Sequence, residues 1–137
     1  MAVAYNKFWQ AAADLMHGVH NFSTSASIKF MLSNTTPTST MATSTDITQI
    51  SSGNGYSGGL LGGIPVSVTA ITLSNGLCTL SANPATLTAG GGNIGPFQFS
   101  VLYNAGSTVI TTGPLLGWYD YGTAITLHDT DSFTLSS

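Results

Sequence analysis

Charge is what this chain has least of. Only 5% of its 137 residues are charged, against about 25% in an ordinary soluble domain. Arginine and glutamate do not occur. The side-chain cations are Lys7 and Lys29, and the net charge is −3. Two lysines make no basic footprint, which excludes nucleic acid as a partner. A membrane surface is excluded for the same reason. No apolar run approaches the roughly 20 residues that span a bilayer. The opening "MAVAYNKFWQAAADLMHGVH" has no basic end leading into an unbroken apolar stretch, so it does not read as a secretory leader. Cysteine occurs once, as Cys78, which excludes an intrachain disulfide. Its setting, "GLCTLSA", predicts a buried, inert thiol. No nucleophile elbow, P-loop, dinucleotide fingerprint or zinc-ligand spacing is found. The chain therefore reads as no enzyme, with no cofactor and no metal.

What is present is apolar and hydroxyl-rich. Apolar residues make up 42% of the chain, enough for one domain, 1–137, with its own core. Serine, threonine, asparagine and glycine supply the polar balance. A surface so poor in ions repels its neighbours weakly, and large uncharged surfaces tend to be covered by something.

Residues 5–20 read as the one helix. Phe8, Ala12, Leu15, Met16 and Val19 recur at helical spacing, and Gly18 or Asn21 is placed to end it. After it the period changes to two, beginning with "SIKFML". The stretch 33–45, "SNTTPTSTMATST", is low in complexity and reads as an extended Thr/Ser-rich arm. "DITQI" follows as a short strand, then the glycine-dense loop "SSGNGYSGGLLGGIP". From residue 64 onward every element reads as strand. Asn75-Gly76 between "IPVSVTAITL" and "LCTLSA" is a hairpin signal. "ATLTA", "IGPFQFSVLYN", "STVITT", "PLLGWYDYG", "TAITL" and "SFTL" continue the pattern. In the second of these, Phe97, Phe99, Val101 and Tyr103 share one face. Eight to ten short strands with frequent turns predict an all-β fold: a jelly-roll-like β-sandwich with one N-terminal helix.

The densest chemistry lies in "GPLLGWYDYGTAITLHDTDSF", 113–133. Leu116, Trp118 and Asp120 alternate with Leu115, Tyr119 and Tyr121, so both faces of the strand need a cover. Asp120 sits between two tyrosines with no second acid nearby. It reads as a structural acceptor for a phenol or for the Gly122 amide. "HDTD", 128–131, could present His128 and Asp131 to an ion, but its place between two strands favours a turn. Calcium needs 6–8 oxygens, and the chain has five acids in all. His17 and His20 stand three apart near a helix end, where a partly positive imidazole is favoured, with no further ligand to complete a metal set.

Taken in order, five strings resemble a family of small virion proteins of tailed bacteriophages: "GVHNF" (18–22), "MLSNTTP" (31–37), "DITQISSGNGYSGG" (46–59), "GPFQFSVLYN" (95–104) and "LLGWYDYGTAITLHDTDSFT" (115–134). The resemblance covers most of the chain. It implies a capsid cement or decoration protein: a jelly-roll domain, usually a homotrimer, clamping the outer surface of the head. Its partners would be itself and the major capsid protein. It brings no enzymatic residues. It leads one to expect more strand after "SFTL", so the last strand is short or finds its partner in a neighbour. The alternative is a tail-fibre or tail-associated module binding a receptor or glycan through exposed rings such as Trp118 and Tyr119. For assembly, the candidates are Phe8 and Trp9 on the helix and Thr35, Pro37 and Met41 in the arm. Tyr56, Leu60 and Leu61 in the glycine-dense loop complete the set.

Overall fold

The computed structural model describes residues 3–22 and 27–135. The described chain is mostly β, with antiparallel sheets and one α-helix. Its first strand, β1, is Tyr5–Lys7, and α1 follows at Trp9–Met16. β2 is Ile28–Ser33 and β3 is Ile64–Val66, with a single 3-10 turn at Ser44–Asp46 between them. β4, Val68–Ser74, and β5, Leu77–Ala82, make a hairpin. β6 is Ala85–Thr88, β7 Ile94–Asn104, β8 Leu115–Leu127 and β9 Ser132–Leu135. Five strands form the main sheet in the order β1-β8-β7-β2-β3. β4–β5 and β6–β9 are separate two-stranded ribbons.

The main sheet is covered on both faces, as its two-sided apolar strands require. On one face Met31, Val101 and Trp118 stand in register and pack with Phe8, Ile47 and Leu115. On the other, Phe30, Leu32 and Phe97 pack under Leu87 and Phe133 of the β6–β9 ribbon. Tyr56 joins this second core through two bonds. Its hydroxyl donates to Gln49 Oε1 at 2.7 Å and accepts the Leu32 amide at 3.0 Å.

The helix is shorter than the 5–20 expected. Tyr5–Lys7 pairs with Tyr119–Gly117 instead, giving that part of β8's edge a hydrogen-bonded neighbour. Gly18 ends the helix at φ +74. The Val19 amide bonds Asp14 O and the Gly18 amide bonds Leu15 O, a Schellman stop. The predicted apolar stripe does not face the sheet. Phe8 and Val19, which flank the helix, are buried, whereas Leu15 and Met16 are exposed and Asp14 is the buried helical residue.

Beyond Ser33, which ends β2, segment 33–45 is an extended stretch tied to the body. Ser33 Oγ donates to Thr48 O and Asn34 Nδ2 to Pro96 O. The Trp9 amide bonds Ser39 O, and Asp46 Oδ2 accepts the Ala42 and Thr43 amides in a capping box. Backbone groups that find partners locally in this way hold a strandless segment onto the body. "DITQI" makes only an isolated bridge, Gln49 to Ser33, after the 3-10 turn. "STVITT" is turn rather than strand; Ser107 Oγ accepts the Ile110 amide there.

Phe97 and Phe99 do not share a face. Between their partners, Ile125 and Asp120, β8 advances five residues while β7 advances two. That irregularity sends Phe97 to one core and Phe99 to the other.

Candidate functional site

The β4–β5 hairpin is built by its turn. Asn75 and Gly76 adopt φ +49 and +80, the left-handed pair that a two-residue hairpin turn demands. This turn sets the register, with Leu73 opposite Cys78 and Ile71 opposite Leu80. Opposed residues share a face. One face of the ribbon is therefore Ile71, Leu73, Cys78 and Leu80, all apolar. The other carries Thr72, Thr79, Ser74 and Leu77. Among the described residues neither strand pairs with any strand but the other.

The apolar face is open. Leu73 is 75% exposed and Ile71 50%; on the opposite face Leu77 is 69% exposed. Cys78 is exposed too, contrary to its sequence setting. Its apolar neighbours in sequence line a ribbon with no cover of its own, so local composition misleads.

From its base at Val68 and Ala82 up to Cys78, near the turn, the hairpin walls a cleft of about 400 Å³. Cys78 and Leu80 line one side, and Ile28, Val66, Leu102 and Leu116 line the other. Leu135 of β9 also lines it, so the cleft lies beside the β6–β9 ribbon on the same face of the main sheet. Tyr5 and Tyr119 close the cleft's rim with ring centroids 5.3 Å apart. Desolvation, reinforced by Tyr119, pushes the Tyr5 phenol up to about 12. Desolvation also raises the Tyr119 phenol. Both therefore stay neutral at ordinary pH. Lys7 is the charged group in the lining. From residue 47 to residue 119 the sequence holds no charged side chain.

A second apolar surface lies on α1. Trp9 is 71% exposed and Met16 87%. Leu60, at 66%, stands out from the glycine-dense loop.

The assembly residues expected from sequence divide accordingly. Trp9 and Leu60 are exposed and free to meet a partner. Thr35, Met41 and Leu61 are half-buried, and Met41 and Leu61 pack against the Phe8 core. Phe8, Pro37 and Tyr56 are buried. The Phe8 ring lies 4.6 Å from that of Trp118, so these large side chains serve the chain's own core in this conformation. Leu61 is held at φ +60, and its carbonyl accepts Lys29 Nζ at 2.8 Å. One of the two lysines is thus used inside the chain.

The acids, and His20 among the histidines, have structural partners. Asp120 Oδ1 accepts the Gly122 amide at 2.8 Å, as its position predicts, and Gln98 Nε2 at 3.1 Å. "HDTD" is a turn: Asp131 Oδ2 accepts the His128 amide, and the Asp131 amide returns to His128 O. Asp129 Oδ1 accepts the Gly91 amide from the neighbouring glycine loop. His17 is the exposed C-cap of α1. His20 is buried against Asn104 Nδ2 at 3.2 Å, and desolvation lowers its pKa despite the opposing pull of Asp14. Among the described residues no three His, Cys, Asp or Glu side chains converge on a metal position.

No family model, curated protein or solved structure matches this chain.

Proposed function

We propose that this chain is a non-enzymatic structural subunit of a bacteriophage virion. In this reading it is a homotrimeric cement or decoration protein on the outer surface of the capsid. The observation that carries the proposal is the combination of a charge-free stretch, 47–119, with large apolar side chains left open on it. A cement subunit acts by burying such surface across joints between shell subunits, and symmetry multiplies each modest contact. The string resemblance described above supplies the virion setting. A jelly-roll-like sandwich is part of the same proposal, with the five-stranded sheet as one layer and the β6–β9 ribbon as the core of the other.

Two apolar surfaces suit two kinds of contact. The α1 face, with Trp9 and Met16, is assigned to the shell and the hairpin side to copies of the chain. Electron microscopy of virions bearing gold-labelled antibody to this chain tests the location. Label over the head surface supports the cement reading; label confined to the tail overturns it.

A tail-associated glycan-binding module is the second reading. It draws on Tyr5 and Tyr119, whose rings border a concave cleft. Trp118 does not join them, because it packs on Phe8. The few polar groups in the cleft are a further mark against it, since sugar recognition needs converging hydrogen-bond partners.

A further inference from the structure

A two-stranded ribbon is marginal in water unless something packs on its apolar face. In this chain that face is built in full, with Ile71 across from Leu80 and Leu73 across from Cys78, yet Ile71 is 50% and Leu73 75% exposed. The same face continues into the cleft, where Cys78 and Leu80 form a wall opposite Leu102 and Leu116. Each molecule therefore presents both a projecting apolar tip and an apolar recess.

We infer that the recess is filled by the β4–β5 hairpin of a second copy of this chain. Three observations favour a copy over another occupant. The hairpin and the stretch 47–119 around it contain no charged side chain, so two copies meet without like-charge repulsion. A foreign partner would find Lys7 as the one charged group of the recess lining to select it. The recess also offers few polar groups to orient a small ligand; Lys7, Thr79 and Asn83 are scattered along its edge. The third observation is area. A seven-residue ribbon two strands wide is about 24 Å long and about 10 Å across. Face-to-face packing of two such ribbons falls well short of the roughly 800 Å² per partner of a stable interface. Seating the tip in the recess covers both of its faces, including Leu77, and adds the cleft walls.

A tip-into-recess contact is heterologous, since Leu73 and Leu77 are given while Ile28, Leu102 and Leu116 receive, with Cys78 and Leu80 bordering both surfaces. Such contacts close into rings or run on as filaments. A ring of three uses every tip and every recess. The count of three rests on the trimer proposed above; the contact itself does not.

Cys78 stands inside this contact and reports on it. The purified chain is followed by sedimentation velocity over a wide concentration range, alongside the rate at which Cys78 reacts with a charged aromatic disulfide reagent. The expected result is a trimer at high concentration with Cys78 reacting at least tenfold more slowly than in dilute protein. Leu73→Asp and, separately, Leu77→Asp are expected to give folded monomers with fast-reacting Cys78. Val109→Asp, an exposed site in a different loop, is expected to leave the trimer intact. An oligomer in which Cys78 reacts as fast as in the monomer overturns the contact, as does a Leu73→Asp chain that still assembles. A chain that stays monomeric at all concentrations also overturns it. Cys78 protection independent of protein concentration would place a small apolar ligand in the recess and likewise overturn it. A Cys78-protected dimer would uphold the contact and overturn the ring of three. Co-sedimentation with purified phage heads is measured separately. A monomer that still binds heads refutes only the hairpin contact, and a trimer that ignores heads refutes only the capsid reading.

Discussion

Tyr5 lies across Gly117 on the edge of the main sheet. A Cβ added at Gly117 would run into the Tyr5 phenol ring, so the glycine is what lets the ring sit flat there. The ring in turn covers a strand position that has no side chain, and it continues onto Tyr119. This holds β1, a three-residue edge strand, against β8.

Gly117→Val should lift Tyr5 and loosen β1, a destabilisation of about 1–3 kcal/mol for forced overpacking. Urea unfolding followed by tryptophan fluorescence measures it. The Tyr5→Ala, Gly117→Val double variant should cost less than the two single changes added together, because the ring's part of the clash goes with it, while the Asn6 carbonyl, 2.5 Å from the added Cβ, still has to shift.

Phe8 and Trp9 are adjacent in sequence and opposite in role. Phe8→Ala removes a ring that is 1% exposed and packed on Trp118, and should lower stability by about 3–5 kcal/mol. Trp9→Ser should change stability by no more than about 0.5 kcal/mol and instead weaken binding to phage heads. Thermal melts and head co-sedimentation of both variants separate the two effects.

Tyr56→Phe keeps the ring and removes one oxygen. The Leu32 amide and Gln49 Oε1 then lose their shared partner. Leaving a buried amide unpaired costs about 1–3 kcal/mol, and hydrogen exchange at Leu32 should speed up accordingly. A variant as stable as the parent, with Leu32 still protected, would contradict this account.

His20 gives the fold a pH dependence of defined sign. Burial lowers its pKa, so the folded state favours the neutral ring. The unfolded chain takes up a proton near the ordinary value of about 6.5. The contribution is therefore complete above that pH and is lost as pH falls from there toward the lower folded value. Chemical denaturation at pH 7.5 and pH 5 should show a stability loss that His20→Gln reduces. An equal loss in the variant would assign the effect to another group.

Element type was largely legible from residue order. Asn75-Gly76 marks the hairpin, and of the two candidates for the helix stop, Gly18 and Asn21, the structure uses Gly18, because left-handed backbone is available to few residues at low cost. Asp120 and the "HDTD" turn were readable because their partners lie two or three residues away. Even the composition of the hairpin faces follows from a two-residue turn and a period of two. Phe97 was misplaced because a register break depends on how β8 meets β7, which no local pattern encodes. How the extended stretch 33–45 is anchored is not legible in a string of threonines, because its bonds go to Thr48, Pro96 and the Trp9 amide.

Composition and periodicity were thus sufficient for a strand-rich, nearly uncharged chain whose long strands need apolar cover on two sides, since these properties arise from neighbouring residues. Which apolar groups would be left in water was settled by packing at long range. Phe8 and Tyr56 found places inside, Cys78 and Leu73 did not, and the difference is whether a distant segment of the chain reached far enough to cover them.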